Sequence, residues 1–138
     1  MNQKWRLVFD IDGTICNNTN GHYEDAYPYE DMIAVINEMY DAGHYIIFHT
    51  ARGMGKHNGN RALAYKDWYC LTKSQLEGWG VKFHELHLGK ILGDIYVDDR
   101  GFRLREDGSS AKDLRDFLKD YESPRRGPGS VGPEDKDA

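Results

Sequence analysis

Trp5-Arg6-Leu7-Val8-Phe9-Asp10-Ile11-Asp12-Gly13-Thr14 decides the fold. An apolar run interrupted once by Arg6 ends abruptly in two carboxylates and a glycine. A short apolar stretch closed by a Gly turn reads as a buried strand. The same grammar recurs downstream. Tyr45-Ile46-Ile47-Phe48, within residues 44–49, ends at Thr50; residues 81–88 lead to Gly89-Lys90; Ile95-Tyr96-Val97 ends in Asp98-Asp99. Phe102-Arg103-Leu104 is a short fifth candidate.

Helices fill the intervals. Pro28 suits a first helical turn, Met32, Ile33, Val35, Ile36, Met39 and Tyr40 recur at helical spacing, and Gly43 suits the end. After a Gly-rich loop at 53–60, Tyr65, Trp68, Tyr69, Thr72, Leu76 and Trp79 define one face of a longer helix, with core packing as the default reading. Ser110 is placed to cap a last helix carrying Leu114, Phe117, Leu118 and Tyr121, stopped by Pro124. Alternating strands and helices predict a Rossmann-like α/β domain, a three-layer α/β/α sandwich around a mostly parallel sheet. The expected domain covers 1–122. Residues 123–138 hold three of the four prolines and few apolar side chains, and are expected to be a disordered tail.

The length of 138 residues fits one domain. A formal net charge of -5 without a basic stripe argues against a nucleic-acid binder. No apolar stretch approaches the roughly 20 residues of a membrane span, and the N-terminal run is too short and too quickly charged for a signal peptide. Two cysteines, Cys16 and Cys70, make neither a disulfide framework nor a metal cluster, so a cytoplasmic setting is expected. Cys16 reads as a small packed side chain. His84 and His87, three apart on a strand, would face opposite sides and read as surface or packing residues.

Ligands bind at the carboxyl ends of parallel strands. Asp10, Asp12, Thr50, Lys90, Asp98 and Asp99 all lie at or just beyond such ends. Clustered carboxylates repel unless a cation joins them. Oxygen donors alone suit Mg²⁺, which commonly binds together with a substrate phosphate, and a Thr hydroxyl and a Lys suit phosphate oxygens. The set reads as phosphoryl transfer.

Asp10-Ile11-Asp12-Gly13-Thr14, Thr50 after an apolar strand, Lys90 and Asp98-Asp99 resemble, in order, the four motifs of the haloacid dehalogenase (HAD) superfamily along residues 5–100. His49-Thr50-Ala51-Arg52 and Tyr96-Val97-Asp98-Asp99-Arg100 are similar to small HAD phosphatases found with capsular polysaccharide biosynthesis. The resemblance implies Asp10 as nucleophile, Asp12 as general acid and base, and Thr50 and Lys90 as holders of the phosphoryl oxygens. It implies Mg²⁺ on Asp10, the Asp12 carbonyl and Asp98, with Asp99 a further or water-mediated ligand. Gly93-Asp94-Ile95-Tyr96-Val97-Asp98 also fits a GDxxxD spelling of the last motif, discounted because Asp94 would precede the strand. Ala51 and Arg52 join the substrate-binding set, Arg52 toward an anionic or hydroxyl-rich group; Arg100 is another candidate. Neither usual insertion point has room for a cap domain. An open site admits large substrates or is covered by a second subunit, so a homo-oligomer stays open. Loop 53–60, with Lys56, His57 and Asn58, is the best local substitute for a lid. The expected activity is Mg²⁺-dependent hydrolysis of a phosphomonoester, a small phosphorylated metabolite such as a sugar or polyol phosphate. The alternatives are a nucleotide or nucleic-acid-end phosphatase of the same fold, and a non-catalytic phosphate-binding domain.

Overall fold

The computed structural model describes residues 4–105 and 107–121. Three strands, β1 (Arg6–Phe9), β2 (Tyr45–Thr50) and β3 (Glu85–Leu88), form one parallel sheet in the order β1-β2-β3. Helix α1 (Glu30–Asp41) connects β1 to β2, and α2 (Arg61–Gly78) connects β2 to β3. Helix α3 (Ala111–Asp120) follows a long segment without regular structure. The chain is thus a small α/β protein, and the expected parallel sheet is present. The expected tail, 123–138, lies outside the described residues.

Register explains the layering. Arg6 pairs with Tyr45 and Phe9 with Phe48; Phe48 pairs with Leu86 and Thr50 with Leu88. Side chains alternate along a strand, so Leu7, Phe9, Ile46, Phe48, Leu86 and Leu88 share one face. That face is the core, packed with Met32, Val35 and Ile36 of α1, Leu76 of α2 and Leu114 and Leu118 of α3. Two right-handed crossovers stepping in one direction place α1 and α2 on the same side. The other face carries Arg6, Val8, Tyr45, Ile47, His49, Glu85 and His87; Ile47 at its centre is buried, but no helix among the described residues is placed over it by the two crossovers. Val8 there is 61% exposed. Among the described residues no helix forms the expected third layer; residues 89–105 contain none.

Local chemistry sets the element ends. Asn60 caps α2, its side-chain oxygen accepting the Leu63 N–H. Gly43, at φ +97, turns the chain from α1 toward β2, a conformation that disfavours other residues. Ser110 stands at the start of α3 but its Oγ accepts the Arg105 N–H instead of capping. β3 is shorter than the apolar run because residues 82–84 are held otherwise: Lys82 N–H donates to the Asn37 side chain, and His84 Nδ1 accepts the Ile46 N–H.

Two expected strands are corrected. Residues 95–97 and 102–104 are irregular, and Ile95 and Val97 are 77% and 92% exposed. The physical reason is reach. Only residues 91–94 separate Lys90 from Ile95. A parallel return within one sheet needs about 10–12 residues. Instead the turn closes on itself: the Tyr96 hydroxyl donates to the Ile91 carbonyl and accepts the Gly93 N–H.

Candidate functional site

β1 ends where Asp10 begins the turn, and β3 ends two residues before Lys90. The parallel register brings the two tips together: Lys90 N–H donates to the Thr50 carbonyl, and Lys90 Nζ stands 3.4 Å from Asp10 Oδ2. The Lys90 ammonium also lies 4.4 Å from the centre of the Tyr96 ring. One Asp10 oxygen accepts the Ile11 N–H at 2.8 Å. Burial pushes the Asp10 carboxyl above its usual range, Lys90 and the Ile11 N–H pull it back, and Asp12 adds to the rise. The Asp10 side chain keeps 38% of its surface open to solvent, so it is accessible as well as paired with Lys90.

Asp12 is fixed from below. Arg52, 1% exposed, directs Nε and Nη2 at the two Asp12 oxygens, each at 3.0 Å. Such fork-to-fork pairing sets the carboxylate plane as well as its position. The rest of the guanidinium is also satisfied: Nη1 donates to Thr72 Oγ1 at 3.1 Å and to Gln75 Oε1 at 2.6 Å, and the Tyr23 ring lies 4.9 Å from its carbon. Gln75 in turn donates to the Tyr23 carbonyl. Arg52 was expected to bind substrate. Its side chain is enclosed and engaged on every side, so it positions Asp12 instead. Thr50 is buried, its Oγ1 accepting the Arg52 N–H at 3.2 Å. Ala51 contributes its carbonyl to the turn, accepting the Met54 N–H.

Cys16 packs beneath this group, as expected of a small core side chain. Burial, with Asp12 beside it, pushes its thiol up to about 12. His49 points to the open sheet face, and burial lowers its pKa. His87 pairs with Glu85 on the same face, while His84 stacks on Tyr40 and Tyr45.

Asp98 and Asp99 are not brought to Asp10. The Asp98 carboxylate accepts the N–H groups of Arg100 and Gly101, and Asp99 lies 3.9 Å from Arg100. Among the described residues, the metal-capable group whose ligand atoms lie within 4.8 Å of one another is His22, Glu24 and Asp25, all exposed. Exposed acidic groups commonly sit so without an ion. The assembled site is therefore Asp10, Asp12, Thr50 and Lys90, backed by Arg52.

A groove beside Lys90 is lined by Met54, Asn58, Arg61, Ile91 and Leu92. The Arg61 side chain forms its wall by lying against Gly89, where a Cβ would meet it at 3.0 Å. In loop 53–60, His57 is tied to Asp67 at 2.6 Å, and Gly53, at φ +81, lies against Trp68 and Ala64. Residues 15–27 hold one 3-10 turn (Tyr23–Asp25), and residues 51–84 hold one helix, so no separate cap occupies either interval. No helix among the described residues is long and apolar enough to cross a membrane.

Sequence reasoning missed the role of Thr72 and Gln75. Thr72 was legible as an anomaly: a polar residue in a stripe of Tyr65, Trp68, Tyr69 and Leu76 needs a buried partner.

No family model matches the chain, and no curated protein matches it. A crystal structure of a structural-genomics target from Vibrio cholerae is similar, with a TM-score of 0.68 and 25% identity over 83% of this chain and 98% of that one. The likeness extends over nearly the whole of that chain and supports the α/β architecture described above.

Proposed function

We propose that this chain is a phosphomonoester hydrolase of the haloacid dehalogenase type, with Mg²⁺ as cofactor and a small sugar or polyol phosphate as substrate. The observation that carries the reading is the convergence of Asp10 and Lys90 at 3.4 Å from the ends of separate strands, with Asp12 fixed beside them. A nucleophilic carboxylate next to an ammonium is a site for a phosphoryl group.

Asp10 attacks phosphorus; its Oδ–P bond forms as the P–O bond to the leaving alcohol breaks. Lys90 and the Thr50 hydroxyl hold the phosphoryl oxygens during the transfer. Asp12 gives the leaving oxygen its proton, then takes one from the water that cleaves the aspartyl-phosphate and restores the Asp10 carboxylate. Arg52, bonded to both Asp12 oxygens, holds this carboxylate in place for the two transfers. Oxygen donors suit Mg²⁺ by chemistry: Asp10 and the Asp12 backbone carbonyl would hold it, the Asp12 carboxylate being committed to Arg52, and Asp98 with Asp99, which stand apart from Asp10 in this structure, would join them only if brought to that strand end. When bound, the ion supplies neutralisation of phosphate charge. The groove at Arg61 and Asn58 provides polar contacts for the alcohol part of the substrate.

The test is phosphate release from sugar phosphates, polyol phosphates and nucleotides with Mg²⁺, beside Asp10→Asn and a chelator control. Release abolished by both treatments is expected. Turnover by Asp10→Asn at the wild-type rate, or a rate indifferent to chelation, would remove the reading. Nucleotides as the preferred substrates would replace the sugar-phosphate assignment.

A further inference from the structure

The four observations that look like defects share one geometry. Among the described residues β1 is an edge strand, paired with β2 alone. Val8 on it is 61% exposed, on a sheet face without a covering helix among those residues. Residues 91–97 carry exposed Ile91, Leu92, Ile95, Tyr96 and Val97. The acidic pair that follows stands apart from Asp10.

A strand at 95–97 beside β1 would cover that edge and carry Asp98-Asp99 to Asp10. It cannot come from the same chain. From Lys90, beyond the end of β3, the chain would have to cross three strand spacings, about 14 Å, and descend at least three residues, about 10 Å, before starting upward. The straight-line distance, about 17 Å, equals the full extension of five Cα–Cα steps. That line runs through the site itself, leaving no slack to pass around Asp10 and Lys90. A second chain has no such limit. An arm of short apolar residues, an unpaired strand edge and a linker too short for closure in its own molecule are the conditions under which identical elements are exchanged between copies.

We propose that residues 91–101 dock on a second copy of this chain, laying 95–97 parallel to the free edge of that copy's β1 and delivering Asp98 and Asp99 to its Asp10, while Phe102 and Leu104 stay packed on the core of their own chain. The exchange is reciprocal, so the assembly is a closed two-fold dimer with two composite sites. The composite site rests on the phosphohydrolase reading, while the exchange itself rests on the edge, the arm and the linker.

Sedimentation of the full chain decides the exchange. A dimer at micromolar concentration is expected, converted to monomer by Ile95→Asp with Val97→Asp, which places two charges in the proposed strand while leaving 4–90 untouched. A monomeric wild type overturns the proposal, and so does a dimer indifferent to the two charges. Circular dichroism of the charged variant, expected to match wild type, confirms that its core has folded. A loss of helix signal would overturn the claim that the arm lies outside the core. The composite site is decided by co-expressing Asp10→Asn and Asp98→Asn/Asp99→Asn chains with different tags and isolating the mixed dimer. Exchange puts both defects in one site and leaves the other intact, so the mixed dimer should show about half the wild-type rate. Sites built within one chain would each keep a defect, and a rate no higher than that of the two parents overturns delivery in trans. If wild type itself releases no phosphate, the hydrolase reading fails, and the sedimentation result still decides the exchange.

Discussion

Replacing Arg52 by Met tests the support beneath the site. Arg52 is enclosed, with two 3.0 Å bonds to Asp12 and further bonds to Thr72 and Gln75. Removing one partner of a buried ion pair costs about 3–5 kcal/mol, because the other charge is left without compensation. The Asp12 side chain keeps 19% exposure, so water recovers part of that loss and the lower end, about 3 kcal/mol, is expected. For a folded domain of this size each kcal/mol shifts the melting temperature by about 4 °C, giving a fall of about 12 °C. Arg52→Lys should fall between, since an ammonium reaches one oxygen but cannot form the fork. Thermal and urea unfolding give the stabilities, and the double-mutant cycle with Asp12→Asn isolates the pair; a coupling of about 1 kcal/mol or more is expected. Turnover should drop further than stability predicts, because Asp12 loses its orientation. A Met variant melting within about 2 °C of wild type, or a coupling near zero, would refute the assignment of Arg52 as the residue that positions Asp12.

Asp10→Asn should abolish phosphate release and yet raise the melting temperature at neutral pH. The folded-state pKa of Asp10 is raised, chiefly by burial, so the folded state favours its protonated form; ionisation above the ordinary carboxylate range, about 3.8, subtracts stability. The gain of the Asn variant over wild type should therefore grow as pH rises through that range and vanish in acid. A variant less stable than wild type at pH 7 would show that Lys90 outweighs the burial. Cys16, enclosed and with its thiol pushed up to about 12, should resist alkylation at pH 8 in the native protein, while exposed Cys70 reacts. Mass spectrometry should count one label when folded and two in denaturant; two in the folded protein would refute the packing around Cys16.

Much of the architecture was legible because strand and helix patterns are local. The run from Trp5 to Asp10 carries its own boundaries, and so do the run at 44–49 ending in Thr50 and the stripe from Tyr65 to Trp79 after the Gly-rich loop; the Asn60 cap of that helix was not read. Asp10, Asp12, Thr50 and Lys90 were readable as a set because parallel strands put their carboxyl ends along one edge. Two features were not local. Whether Arg52 faces substrate or protein is decided by Thr72 and Gln75 on the following helix, which no pattern around Thr50 reveals. The Ile95–Val97 stretch has strand composition, but a strand needs a neighbour, and the decisive quantity was the four-residue interval after Lys90 rather than the residues of the stretch.

That interval also bears on how the site works. Asp10 and Lys90 lie at the ends of strands paired within one sheet, so their 3.4 Å approach is set by the core and is present in each copy. The acidic pair stands on an exposed segment held by local bonds, so its arrival at any Asp10 requires the arm to change its conformation. On the proposed reading, a hydrolase divided in this way would carry Asp10 and Lys90 ready-made and would gain its remaining oxygen donors only on pairing. Activity per chain would then fall on dilution below the dimer dissociation constant, and the sheet edge at Val8, a hazard in a lone subunit, would be covered by the same event that completes the site.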